Sequence, residues 1–205
     1  MLRYRTLERF GSNRSIMLAF ALFVLASALV LGGCSKGAGG NSLHVKSPAT
    51  GEKDVAVKSA YAFAVTKTFT DAAGKMTTAA SYNVYVANYD LDSSFFAQTM
   101  NKPMTSDDQM RVVFSLAGET GGTEKTAAKA GTYSATADKY MKVESVGIVS
   151  RKGGAEDKGW LDRSSTKGDV KITSASADSI SGDVDITSGD ISIKGSFTAK
   201  ILTRK

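Results

Sequence analysis

The sequence predicts an all-β fold, an antiparallel sandwich or small barrel of about eight strands with a C-terminal meander. Three observations carry this expectation. From Cys34 onward the chain has 13 Val and 7 Ile against 5 Leu, and β-branched residues favour strands where Leu favours helices. Apolar residues in the longer stretches recur with period 2, the strand period, not 3.6. The two prolines, Pro48 and Pro103, fall outside every alternating stretch.

The first element precedes the fold. Arg3, Arg5, Arg9 and Arg14 lead into sixteen uncharged residues, Ile16 to Leu31. A basic region, an apolar run and a small-residue cleavage site describe a secretory signal. As a helix the run would rise about 24 Å, short of the ~30 Å hydrocarbon core that a retained span must cross. No Arg-Arg pair precedes it, which points to the general secretory route.

Leu31-Gly32-Gly33-Cys34 ends the run and resembles the lipobox of bacterial lipoproteins. The resemblance covers residues 1–34. It implies cleavage between Gly33 and Cys34, a diacylglycerol thioether on Cys34, and membrane lipid as partner through the acylated cysteine. At ~0.8 kcal/mol per buried CH₂, two or three acyl chains anchor a protein durably. Ser35 stands where Asp would retain such a protein at the inner membrane, so the resemblance implies the outer membrane if the source is Gram-negative. The expected organisation is a signal peptide over 1–33, a lipidated tether over 34–54 and an antiparallel β domain over 55–205.

From Cys34 the chain holds 172 residues, with 22 basic and 19 acidic side chains, a net charge of +3. So mild a balance gives no case for a nucleic-acid partner. One domain fits this length. Residues 35–54 are rich in Gly, Ser and Lys and read as flexible coil, with His44, the only histidine, inside it.

Residues 55–69 read as the first long strand, with Val55, Val57, Tyr61, Phe63, Val65 and Phe69 on one face and mostly Ala, Lys and Thr on the other. Asp71 to Lys75 is a turn, and residues 80–89 complete a hairpin. Residues 90–109 break the pattern. Asp92 or Ser93 would cap a short helix carrying Phe95, Phe96 and Met100. Strands resume over 111–117, from Gly131 and over 142–150. Residues 151–159 read as a charged turn region, followed by the single Trp160.

The last third holds three alternating strands, 168–174, 178–187 and 190–202. A Ser188-Gly189 turn would pair Ile186 with Ile191, Val184 with Ile193, Gly182 with Gly195 and Ile180 with Phe197, with Asp183 opposite Lys194. A large side chain such as Trp160 or Phe197 would cover the two glycines. The glycine-spaced alternation over 131–199 resembles the C-terminal β region of uncharacterised all-β envelope lipoproteins, and that resemblance implies no activity.

Catalytic and metal chemistry finds few candidates. A lone histidine and a cysteine destined for lipid leave no His/Cys zinc set. Ser164-Ser165-Thr166-Lys167 matches the S-x-x-K string of serine β-lactamases, without the companion S-D-N and K-T-G strings. Asp90-x-Asp92-x-Ser94 resembles the start of a calcium loop, but Phe95 and Asn101 stand where Gly and Glu are needed. Asp183 and Asp185 share a strand face opposite Lys194. Residues 118–126 miss the phosphate-loop spacing. The expectation is a non-enzymatic, membrane-anchored envelope lipoprotein with an interaction or structural role and a possible envelope protein partner, without cofactor or metal. The alternative is a lipocalin-like carrier of a small hydrophobic ligand, its Tyr and Phe lining the pocket. A hydrolase built on Ser, Asp and Lys comes third.

Overall fold

A computed structural model describes residues 41–92 and 102–203. Gly33, Cys34 and most of the segment expected to hold a short helix lie outside these residues. The described chain belongs to one compact unit, Ala38–Lys205. It is all-β, and no helix among the described residues is long and apolar enough to cross a membrane.

Eleven strands form one mixed sheet: β1 Ser42–Ser47, β2 Gly51–Ala56, β3 Ser59–Thr70, β4 Met76–Ala87, β5 Met110–Thr120, β6 Gly131–Ser134, β7 Lys142–Lys152, β8 Ala155–Trp160, β9 Lys167–Ala175, β10 Ser179–Ser188 and β11 Ile191–Ile201. Eight of them close a ring in the order β10-β9-β6-β7-β5-β4-β3-β11, with β11 returning to β10. The remaining three are attached to it. β1 shares one edge of β11 with β3, β2 pairs β1, and β8 shares one edge of β7 with β6.

The ring encloses one apolar core. Val84, Val112, Phe114, Ile172, Ile186, Ile193 and Phe197 are fully buried in it. The Phe114 and Phe197 rings lie 5.7 Å apart, within the range of favourable aromatic contact. β3 turns its small side inward: Ala62 is in the core and Ala60 and Ala64 pack against it. The Tyr61, Phe63, Val65 row points outward, half-buried or exposed.

The sequence expectations need four corrections. Residues 42–54 are not a flexible tether. They form the β1–β2 hairpin, and Leu43, Val45 and Val55 are buried in the core. Two short alternations flanked by Ser, Gly and Lys were too brief to stand out from coil. Residues 155–160 pair with β7 as a charged edge strand, not a turn. The sheet is mixed and not antiparallel throughout, since the β6–β7 and β11–β3 pairings are parallel, and β6 lies between β9 and β7.

The fourth correction is the last hairpin, which is shifted by two residues. Ile186 pairs Ile193, Val184 pairs Gly195, Gly182 pairs Phe197 and Asp185 pairs Lys194. The turn is Gly189-Asp190. Gly189 has φ +56° and Asp190 has no positive φ, which suits the two-residue turn with glycine first. A two-residue shift keeps every side chain on its face, so the meander β9–β10–β11 survives the change. Neither glycine lies under a large ring. A Cβ on Gly195 would stand 2.1 Å from the Ser42 carbonyl oxygen of β1, and one on Gly182 2.7 Å from the Lys171 carbonyl oxygen of β9. Both glycines admit a neighbouring backbone.

Candidate functional site

The outer face of β3, β4, β5 and β7 gathers the polar groups that alternation alone would leave in water. Val143 and Val146 both face the core, although they are three residues apart. The sheet accommodates them with a bulge: Ser115 pairs Ser145, Leu116 pairs Val143, and Glu144 is the extra residue. A bulge re-aims a side chain, and here it turns Glu144 outward while both valines stay inside. The V-x-x-V slip in the period is the signal by which sequence reasoning could have found this carboxylate.

Glu144 is 7% exposed. Lys67 Nζ donates to its Oε1. Ser81 Oγ donates to Oε2 at 2.9 Å and Ser115 Oγ at 3.3 Å, and the two hydroxyls lie 3.2 Å apart. Three donors answer the buried charge, as burial of a carboxylate requires. A small cleft of about 160 Å³ beside the cluster is lined by Lys67, Asp138, Lys142, Glu144 and Arg163 among others. Lys142 Nζ donates to the Asp138 carbonyl at 2.9 Å. A serine nucleophile needs a base free to take its proton. Here the carboxylate is held in an ion pair with Lys67, and Ser81 is 3% exposed.

A second buried group lies farther along the same face. Arg111 is 2% exposed. Its Nη1 donates to Tyr89 Oη at 2.7 Å, and its Nε has no hydrogen-bond partner. Ala87, Tyr89, Leu91, Met104 and Val149 form a small apolar cluster on this outer side. Residues 102–109 are held over the sheet by polar ties. Asp107 accepts from the Gly153 and Gly154 amides at 2.7 and 3.3 Å, and these amides keep its pKa below the usual carboxylate value. Arg151 Nη1 donates to the Met104 carbonyl at 2.5 Å.

Aromatic side chains occupy the band between the two clusters. Phe63 stacks on Tyr85 with centroids 5.8 Å apart. Trp160 is 64% exposed and lies flat against Gly147, where any Cβ would meet its ring at 2.9 Å. Gly147 is thus the seat of the single tryptophan.

At one end of the ring a groove of about 650 Å³ opens beside β3. Ala64, Val65, Tyr82, Ala127, Ile201 and Leu202 line much of it. The Tyr82 hydroxyl donates to the Thr126 carbonyl at 2.5 Å, and burial pushes its pKa up to about 12.

The residues singled out in the sequence do not converge. His44 is fixed on β1, with Nδ1 2.7 Å from Asp54 Oδ1 and Nε2 2.8 Å from Glu52 Oε1 on β2. Those carboxylates, Asp54 foremost, hold its pKa above the ordinary imidazole value. Asp90 pairs with Lys58 at 2.9 Å. Asp185, not Asp183, pairs with Lys194 at 3.1 Å. In the Ser164–Lys167 string, Ser164 Oγ and Ser165 Oγ donate to Asp162 as turn contacts. Lys167 begins β9. Tyr82 and Tyr89 are buried, whereas Tyr61, Phe63, Phe69 and Tyr85 are half-buried on the outer face. Among the described residues no group of three or more His, Cys, Asp or Glu is arranged to hold a metal ion. Comparison with family models, curated proteins and solved structures finds no match.

Proposed function

We propose that this chain is a lipid-anchored protein of the bacterial cell envelope whose β domain serves a non-enzymatic interaction or structural role. The anchor rests on the basic, apolar and Leu31-Gly32-Gly33-Cys34 succession. The role rests chiefly on one observation, the filled interior. Val84, Phe114, Tyr133, Ile172, Ile186 and Phe197 of the ring strands belong to one apolar core, to which the attached β1–β2 hairpin adds Leu43, Val45 and Val55, and a carrier of the lipocalin kind needs the interior for its ligand. The polar clusters support the same reading. Lys67 and Glu144 answer each other, and Arg111 is buried away from solvent.

A hydrophobe carrier remains the second reading, and the groove beside β3 favours it, because 650 Å³ falls within the range of small-molecule sites. The anchor is tested by Cys34→Ala in the full chain. The parent protein should sediment with membranes and carry a diacylglycerol mass on its first mature peptide. The variant should lose both. A membrane-bound variant, or an unmodified Cys34 in the parent, would refute the anchor.

A further inference from the structure

We infer that the outer half of β3 is a self-association edge, at which two copies of this chain pair antiparallel about a two-fold axis at Thr66. β3 pairs with β4 along its whole length, but with β11 only at Tyr61 and Ala62. The Leu202 amide donates to the Ala62 carbonyl at 2.7 Å. That bond fixes which main-chain groups face away from β4. A residue's N–H and C=O point to the same side of a strand and alternate along it. Those of Ala64, Thr66 and Thr68 therefore face the open edge, and among the described residues no strand pairs with them there.

Two other marginal strands differ in composition. β2 is six residues long and carries Glu52, Lys53 and Asp54. β8 is six residues long and carries Glu156, Asp157 and Lys158. Short, charged edges resist pairing with another chain. β3 has twelve residues, and from Ala64 to Thr70 its only charge is Lys67. Lys67 does not guard the edge, because its ammonium is drawn over the outer face to Glu144. The groove alongside supplies space where β11 leaves off.

The register follows from charge and parity. Edge-facing residues must meet edge-facing residues, so even numbers pair with even numbers. An axis at Lys67 would set two Lys67 side chains opposite each other, which is destabilising. An axis at Val65 would bring Thr68 against Ala62, whose carbonyl already accepts from Leu202. An axis at Thr66 avoids both conflicts. It pairs Ala64 with Thr68 of the second copy, Val65 with Lys67, and Phe63 with Phe69, and it forms about six main-chain hydrogen bonds.

The test uses the full chain. In Thr66→Cys the two Cα atoms would stand about 5.5 Å apart, within disulfide reach. Mild oxidation should give a covalent dimer well above the level of the parent, whose only cysteine is Cys34. Lys158→Cys on the β8 edge should stay at that background. Sedimentation of the unmodified full chain in detergent should show a reversible dimer. Thr66→Pro, which removes an edge-facing N–H together with the Oγ1 that accepts from the Glu124 amide at 3.0 Å, should weaken it at least tenfold with unchanged circular dichroism, whereas Thr66→Val, which removes only the Oγ1, should leave it unchanged. Cross-linking at Thr66 no greater than at Lys158, a parent that stays monomeric at every concentration, or a Thr66→Pro dimer of unchanged strength would each overturn the inference.

Discussion

The C-terminal meander and the β3-β4-β5-β7 face are built from the same residue types, yet they bury them differently. In the meander, inward Val170, Ile172, Val184, Ile186 and Ile193 alternate with outward Lys171, Asp183, Asp185 and Lys194, which are exposed. One face is dry and one is wet. In β4, β5 and β7 both faces are covered. Val112 and Phe114 lie inside, and Arg111 and Val113 are also buried, on the outside. A charge in the meander meets solvent, whereas a charge on the other face must find a partner within the protein.

Substitutions can break this comparison at four points. The largest effect belongs to the close backbone contact by which the meander receives β1. Gly195→Val places a branched side chain at φ +139° against the Ser42 carbonyl, and should cost about 3 kcal/mol or more through strain and loss of the β1 docking. Chemical denaturation measures the cost, and faster hydrogen exchange in β1 than in β5 would locate it.

The ion pairs come next. Lys67→Ala leaves Glu144 buried with two hydroxyl donors only, and should cost about 2 kcal/mol. Lys194→Ala removes an exposed partner of Asp185 and should cost at most about 0.5 kcal/mol. Equal losses in the two variants would erase the distinction between the halves.

Arg111 sharpens the comparison from the opposite side. Its guanidinium is buried with a neutral phenol as its hydrogen-bond partner and Nε unsatisfied. A buried charge without an ion-pair partner carries a desolvation cost that nothing offsets, and an apolar side chain of similar length relieves it at the expense of one hydrogen bond. Arg111→Met should therefore shift stability by less than about 1 kcal/mol in either direction in urea. A loss as large as that of Lys67→Ala would mean the guanidinium is better satisfied than its contacts indicate.

The smallest effect is the pH dependence of His44. Its folded pKa is raised above 6.5 by Asp54 and Glu52. The folded state therefore holds this proton more tightly than the unfolded chain does. The resulting stabilisation is fully present below 6.5 and is lost as pH rises through the folded value. His44→Gln should abolish that segment of the stability–pH curve and leave the remainder unchanged. The imidazole is exposed, so the change should be small and salt-sensitive.

The same contrast explains what could be read from the sequence. The meander's period-2 pattern places its three strands to within one residue at every boundary. Its register failed by two because alternation is blind to even shifts, and the decisive features were Gly189 in the turn and Gly195 beneath β1. On the two-sided face the alternation is ambiguous. Residues 110–118 are all buried except Ser115, and the side of β3 that meets the core is its alanine side. The β1–β2 hairpin was hidden because its short apolar stretches depend on β11 for pairing and burial. None of the polar clusters is local in sequence. Lys67 and Glu144 are 77 residues apart, and only the bulge at Val143–Val146 hints at their meeting.

Both regions close on the filled interior between Phe114 and Phe197, and this is the claim most directly open to measurement. Native mass spectrometry on residues 38–205, incubated with an envelope lipid extract, would decide it. A filled interior predicts the mass of the bare polypeptide under gentle desolvation. A stoichiometric lipid adduct that persists in Lys67→Ala but is lost when Ala64 or Ala127 is enlarged would contradict the non-carrier reading and place the ligand in the groove beside β3.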